Sequence, residues 1–320
     1  MAAPKIVILD GYVANSGDLS WQGIASQGNL VVYDRTAPDE VIARCAGATA
    51  VFTNKVVIDA AIIAALPELR FIGVLATGYN NVDIEAARRA GIVVSNVPAY
   101  STMSVTQLVF AMLLTICNRV GDYSASVAEG RWASCEDFSY RLGPIDELDG
   151  KTMAVYGLGN IGKRVAAIAA AFGMRVVSFT SQAAENLPPY IEKVSHDEMF
   201  RRADVLSLNA PLTASNRHFV NADTLALMKP TAIVINTARG PLVDEDALAE
   251  ALVSGRLAFA AVDVLDVEPP RKGSPLIGLP NCIVTPHIAW QSTDARRRLL
   301  DVSAANLRAF LAGAPQNVVS

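Results

Sequence analysis

Thr152-Met153-Ala154-Val155-Tyr156 runs directly into Gly157-Leu158-Gly159-Asn160-Ile161-Gly162, an apolar run that breaks into a glycine-rich turn and then into an alanine-rich stretch. The pattern predicts strand, turn and helix. Gly157 permits the tight turn, Gly159 lets the backbone approach a pyrophosphate, and Gly162 lets the helix press onto the strand while helix N–H groups face the phosphates. Three glycines at this spacing arise by chance too readily to decide anything alone. The context decides: residues 163–172 are helix-forming, Gly173 supplies a C-cap, and Met174-Arg175-Val176-Val177-Ser178-Phe179 reads as the next strand. A dinucleotide cradle containing Gly157, Gly159, Asn160 and Ile161 is the expectation.

Outward from that stretch, 320 residues are too many for one ordinary core, and 52% hydrophobic with 18% charged residues is a globular mixture, so two domains are expected. A net charge of −4 gives no basic footprint for nucleic acid, and the one cluster, Arg296-Arg297-Arg298, falls in a helical pattern as a solvated face. The apolar run at residues 6–9 is too short for a signal peptide. The most apolar long segment, residues 105–117, contains Thr106, Gln107 and Thr115 and falls short of the roughly 18 residues of a spanning helix. A cytoplasmic chain without membrane contact is expected. Cys45, Cys117, Cys135 and Cys282 are irregularly spaced, which predicts reduced, mostly packed thiols and no metal site.

The first hundred residues alternate candidate strands (6–9, 30–33, 50–52, 71–74, 93–95) with candidate helices (21–27, 39–45, 59–66, 83–90), as in a parallel sheet with right-handed crossovers. Gly11 stands alone after the first run, so no phosphate loop is expected there. The fourth strand ends in Leu75-Ala76-Thr77-Gly78-Tyr79-Asn80-Asn81-Val82-Asp83. Two readings stand: the N–H groups of Thr77, Gly78 and Tyr79 hold a small carboxylate, or this is a plain turn with Asn81 as N-cap. Residues 102–118 predict a helix apolar on nearly every face, which must be buried on more than one side. Residues 121–150 read as a polar stretch with Trp132, Phe138 and Tyr140, either an arm packing on a second subunit or a surface loop anchored on its own domain.

A second alternating series follows, with strands at 205–208, 232–236, 259–264 and 283–285, helices at 223–228 and 244–254, and a final helix at 293–311. Residues 1–99 and 290–320 then make one domain and 100–289 the nucleotide domain, with two chain crossings leaving a hinged cleft. Three strand-ending segments carry the candidate chemistry: Asn236-Thr237-Ala238-Arg239-Gly240, then Asp263 to Glu268, then Thr285-Pro286-His287. An arginine there can bind a carboxylate bidentately, and a glutamate can fix a histidine's tautomer and tune its pKa. Taken singly, each has a plain alternative: a structural histidine, a solvated charge, an ion-pair partner. His196 and His218 lie in polar runs and read as surface residues.

Together, GLGNIG, NTARGPLVDEDAL, AAVDVLDVEPP and TPHIAW, in this order, resemble the D-isomer-specific 2-hydroxyacid dehydrogenase family over essentially the whole chain. LATGYNNVD, YSTMSVTQLVFAMLL and EGRWASCEDFSY are further similar to its D-glycerate dehydrogenase or hydroxypyruvate/glyoxylate reductase members. The fold expected is α/β, with two open parallel-sheet domains: a Rossmann nucleotide-binding domain inserted into a flavodoxin-like substrate domain. The resemblance implies reduction of a small 2-oxo acid to a D-2-hydroxy acid with NAD(H) or NADP(H). It makes Arg239 the substrate anchor, His287 the proton donor and acceptor, and Glu268 its orienting partner. It places the nicotinamide carboxamide on Asp263, has Pro211, Thr237 and Ala238 line the cofactor, and puts the substrate carboxylate on Thr77, Gly78 and Tyr79. A homodimer is also implied, through the 102–118 helix and the Trp132 arm. Thr180 and Ser181 stand where the family commonly has a ribose-binding aspartate, and Met103 and Asn209 also depart from the usual residues. Loss of that carboxylate removes the repulsion of a 2′-phosphate, which opens the site to NADP(H). Two competing functions share the fold: a nicotinamide-sensing regulator, and a formate or phosphite dehydrogenase.

Overall fold

A computed structural model describes residues 3–320, so Met1 and Ala2 of the N-terminal stretch lie outside the described residues. The chain divides into two compact units, residues 1–101 with 290–320 and residues 102–289.

The first unit runs β1 (Lys5–Ile8), α1 (Gly11–Ala14), α2 (Gln22–Ala25), β2 (Asn29–Val32), α3 (Val41–Cys45), β3 (Ala50–Thr53), α4 (Ala60–Ala65), β4 (Phe71–Val74), α5 (Ile84–Arg89) and β5 (Val93–Ser95). Its five parallel strands take the order β2-β1-β3-β4-β5, the flavodoxin-like arrangement, whose order reverses between β1 and β3. Strand periodicity sends Ile6 and Ile8 to one face and Val7 and Leu9 to the other, and all four are fully buried because helices cover both faces.

The second unit runs α6 (Thr102–Asn118), α7 (Val120–Ala128), β6 (Thr152–Tyr156), α8 (Asn160–Ala171), β7 (Arg175–Ser178), β8 (Ile191–Lys193), α9 (His196–Arg202), β9 (Val205–Leu208), α10 (Ala222–Leu227), β10 (Ile233–Asn236), α11 (Glu245–Val253), β11 (Phe259–Val262) and β12 (Cys282–Val284). The order β12-β11-β10-β9-β6-β7-β8 is an extended Rossmann sheet, reversing between β6 and β9. The two open parallel-sheet folds expected from the alternation are therefore present. The closing helix α12 (Thr293–Leu311) packs Leu299, Ala304 and Leu307 against the first sheet. Among the described residues no single helix is long and apolar enough to cross a membrane.

Several expectations are corrected. Residues 121–150, read as a polar stretch without helical periodicity, are helical at their start, where α7 occupies them as far as Ala128. The rest folds back on it, with the Leu142 N–H donating to the Tyr123 hydroxyl (2.9 Å) and the Tyr140 hydroxyl meeting Ser126, and is braced within itself by the Trp132 indole N–H, which donates to the Phe138 carbonyl (3.0 Å). Helix α6 buries Val109, Met112 and Leu113 but leaves Met103, Gln107, Ala111 and Thr115 exposed, so only part of its circumference is covered within the chain. The arginine triplet is not a uniform solvated face. Arg296 forks onto Asp18 with only 12% of its side chain exposed, Arg298 donates to the Tyr100 carbonyl (2.9 Å), and only Arg297 stays outside, on Asp294. His196 is no plain surface residue, because its ring packs against Phe179, Phe200 and Phe219.

Candidate active site

The glycine turn after β6 is built as its spacing requires. Gly157 has φ +91°, and a Cβ there would meet the Ala210 nitrogen at 2.5 Å; one at Gly162 would meet the Gly157 carbonyl oxygen at 1.9 Å. At Gly159 a Cβ would meet nothing within 4 Å. Two of the glycines therefore serve close packing, and the third keeps space open before the helix. Side chains cap α4, α5, α9, α10, α11 and α12; α8 begins at Gly159 with no side-chain cap, as do α7 and the short helices α1, α2 and α3 at their own N-caps. The first N–H groups of α8 thus remain for an external anion. Nearby strand ends carry buried polar side-chain atoms without a protein partner among the described residues, the Thr237 hydroxyl after β10 and the Asn209 side-chain amide oxygen Oδ1 after β9. These residues fit a dinucleotide.

Around the turn, the Gln182 amide donates to the Leu158 carbonyl (3.3 Å) and the Thr180 hydroxyl accepts from the Gln182 N–H (3.2 Å), so residues 180–182 fold back toward the glycines. The Pro211 carbonyl accepts from Asn216 (2.9 Å). Buried Asn236 latches the next loop: its amide donates to the Arg239 carbonyl (2.9 Å), and its oxygen accepts from the Ala238 N–H (3.0 Å). Gly240 then passes so close to Leu265 that a Cβ would overlap its carbonyl group at 1.9 Å. The Arg239 loop is thereby pressed onto the segment leading to Glu268. Arg239 itself is exposed and donates only to the neighbouring Ala238 carbonyl (2.7 Å); among the described residues no carboxylate pairs with it.

Glu268 and His287 meet at 2.6 Å through Nδ1, and the other Glu268 oxygen accepts from the Leu265 N–H (2.9 Å). With Nδ1 on the carboxylate, Nε2 is the nitrogen free to exchange a proton. His287 adopts φ +54°, a left-handed conformation uncommon outside glycine, which persists where the surroundings hold it. Asp263 holds it here. Its carboxylate accepts from the Thr285 hydroxyl (2.5 Å) and the N–H groups of Ile288 and Ala289 (both 2.8 Å), while its own carbonyl accepts from the His287 N–H (2.8 Å). Burial pushes the Asp263 carboxyl up from its ordinary pKa, against the opposing pull of these donors. Both oxygens already serve this loop, a commitment that strand-end position alone does not reveal.

In the first unit the loop after β4 is held from outside: the Thr77 hydroxyl donates to the Val97 carbonyl (2.8 Å), and Asn96 donates to the Thr77 carbonyl (2.8 Å). Among the described residues nothing accepts from the backbone N–H of Thr77, Gly78 or Tyr79. The plain-turn alternative named Asn81 as N-cap; the cap of α5 is Asp83, and Asn81 instead donates to the Val56 carbonyl (3.1 Å). The strand-end pattern missed Asp10, which is 6% exposed and accepts from the N–H groups of Asn54, Lys55 and Val56 (2.7, 2.6 and 3.0 Å). An aspartate closing an apolar strand was its only signal.

Comparison with known proteins agrees with this construction. Residues 110–289 match the model for the D-isomer specific 2-hydroxyacid dehydrogenase NAD binding domain. The chain is 44% identical to a hydroxypyruvate reductase of Blautia hydrogenotrophica, over 99% of both chains. It is 39% identical to a glycerate dehydrogenase of Methylorubrum extorquens, over 90% of both. A solved 2-hydroxyacid dehydrogenase from Ketogulonicigenium vulgare superposes with a TM-score of 0.86 at 28% identity, covering 100% of this chain and 99% of that one. On these matches, and with an NAD-binding unit built as described, the chain belongs to the D-isomer-specific 2-hydroxyacid dehydrogenase family.

Proposed function

We propose that this oxidoreductase reduces hydroxypyruvate or glyoxylate to the corresponding 2-hydroxy acid, with His287 as proton donor. The observation that carries the reading is the 2.6 Å Glu268–His287 pair, mounted on a loop whose strained backbone is fixed by Asp263. Glu268 stabilises the imidazolium and fixes its tautomer, so that Nε2 delivers the proton to the carbonyl oxygen as charge develops there. Arg239, without a carboxylate partner among the described residues, offers a planar fork to the substrate's carboxylate and carbonyl oxygen. The three unengaged N–H groups of residues 77–79 suit a carboxylate. Bound in the cradle, a reduced nicotinamide supplies the hydride equivalent. Asp263 acts as a positioning residue for His287.

The run Phe179-Thr180-Ser181-Gln182 contains no carboxylate to repel a 2′-phosphate, which supports acceptance of NADPH beside NADH. A homodimer is supported by apolar surface left bare on α7 and the segment after it: Phe138 is 92% exposed, Val120 67% and Trp132 52%. Absorbance at 340 nm should fall when the enzyme meets hydroxypyruvate or glyoxylate with either dinucleotide. Tight dinucleotide binding without turnover of any 2-oxo acid would overturn the proposal and favour a sensor.

A further inference from the structure

The ribose end of the cradle lacks a basic residue in its own loop, yet a neighbouring strand brings one to it. Strands β7 and β8 pair in parallel with Ser178 opposite Lys193, so Lys193 lies at the carboxyl edge of the sheet, two residues back from Thr180 in register. Its ammonium donates to the Gln182 carbonyl at 2.8 Å. Gln182 is also the residue whose amide reaches back to Leu158 in the glycine turn, so the cation sits on the loop that borders the cradle.

Charge pairing around it isolates this lysine. Glu192 is forked by Arg202 at 2.7 and 2.6 Å, Asp197 is held by Arg201 and His196, and Glu198 is turned onto Ser195. Lys193 has only a neutral carbonyl as partner among the described residues. An ammonium carries three donors on a flexible stem, so two remain for an anion. In Rossmann sheets the adenosine ribose lies at the end of the second strand, here β7, where Thr180 and Ser181 present hydroxyl donors.

Resting on the reading of residues 157–162 as the dinucleotide cradle, we propose that Lys193 selects the cofactor, pairing with the 2′-phosphate of NADP(H) with help from the hydroxyls of Thr180 and Ser181. The carbonyl of Gln182 holds the ammonium ready in the absence of the phosphate. NADH, with a 2′-hydroxyl there, gains nothing from the charge.

The test is equilibrium binding, read by fluorescence of the reduced nicotinamide, with NADPH and NADH against wild type, Lys193→Gln and Lys193→Arg. Lys193→Gln should weaken NADPH binding by about tenfold and leave NADH within about twofold, while Lys193→Arg retains NADPH. The preference for NADPH should also decline with added salt in the wild type and not in Lys193→Gln. Equal weakening of both dinucleotides would mean that Lys193 merely braces the loop, and an unchanged NADPH affinity would mean that it touches no phosphate; either overturns the proposal. A wild type that binds neither dinucleotide would instead bring down the cradle itself, a result separable from the other two.

Discussion

Both units are open parallel sheets whose strand order reverses once, and at that reversal an open sheet of this kind ordinarily receives its ligand. In the first unit the reversal lies between β1 and β3, and the chain fills it with its own anion: the Asp10 carboxylate takes the N–H groups of residues 54–56. In the second it lies between β6 and β9, where Gly157 packs against Ala210, Gly159 faces open space, and α8 starts uncapped. The same topology is thus sealed in one unit and left open in the other. One buried aspartate against one glycine accounts for the contrast: a side-chain carboxylate satisfies orphan donors internally, and a missing side chain leaves them for a phosphate. Asp263 repeats the first solution inside the second unit, where it stiffens the loop bearing His287 rather than closing the nucleotide site.

The largest effect should come from removing the group that this stiffened loop presents. His287→Asn is the informative change, because asparagine tolerates a left-handed backbone and cannot serve as the proton donor. Turnover of the 2-oxo acid should fall by roughly 10²–10⁴-fold, with NADH affinity nearly unchanged. Retention of most activity would move the proton chemistry away from Glu268 and His287.

Next in size is the seal itself. In Asp10→Asn one oxygen can still accept, but the new amide sets its N–H groups against a backbone N–H in a buried site. Stability should drop by about 2–3 kcal/mol in urea unfolding, while the folded variant binds NADH as before. An unchanged midpoint would show that water serves residues 54–56 as well as the carboxylate does.

What the sequence made legible follows from how local each signal is. The glycine turn, the strand ends and the long helices α6 and α12 are written in consecutive residues, so spacing and periodicity reveal them. Nonlocal features were invisible for a physical reason. Asp10 finds its donors 44 to 46 residues away, Arg296 finds Asp18 across 278, and His196 packs against Phe179 and Phe219 from two other segments besides Phe200 of its own helix. Helix α7 was lost because its first residues, Val120-Gly121-Asp122, carry weak helix propensity, and its hold on Tyr140 and Leu142 forms only when the chain folds back. The chemistry of Arg239, Glu268 and His287 was suggested by residue type at strand ends. The 2.6 Å pairing and the left-handed histidine required the structure.

The smallest change in folding free energy is expected from converting the open edge into a sealed one with Gly159→Asp. Gly159 already has the extended backbone of an N-cap (φ −78°, ψ −163°), and a Cβ there meets no atom within 4 Å. A carboxylate can therefore accept from the uncapped N–H groups of α8 and oppose the positive end of its dipole, as Asp59 and Asp83 cap α4 and α5 in the first unit. The ligand-free protein should become more stable by about 0.5–1 kcal/mol. The same carboxylate would occupy the space for a pyrophosphate and repel it, so NADH and NADPH should both bind more weakly, in the same proportion, with no change in the preference between them. Urea unfolding without ligand and nicotinamide fluorescence titration read the two effects separately. A gain in stability with dinucleotide affinity intact would place the phosphates elsewhere. A loss of affinity without that gain would leave Gly159 a matter of space alone and remove the orphan donors from the account of why this edge is open.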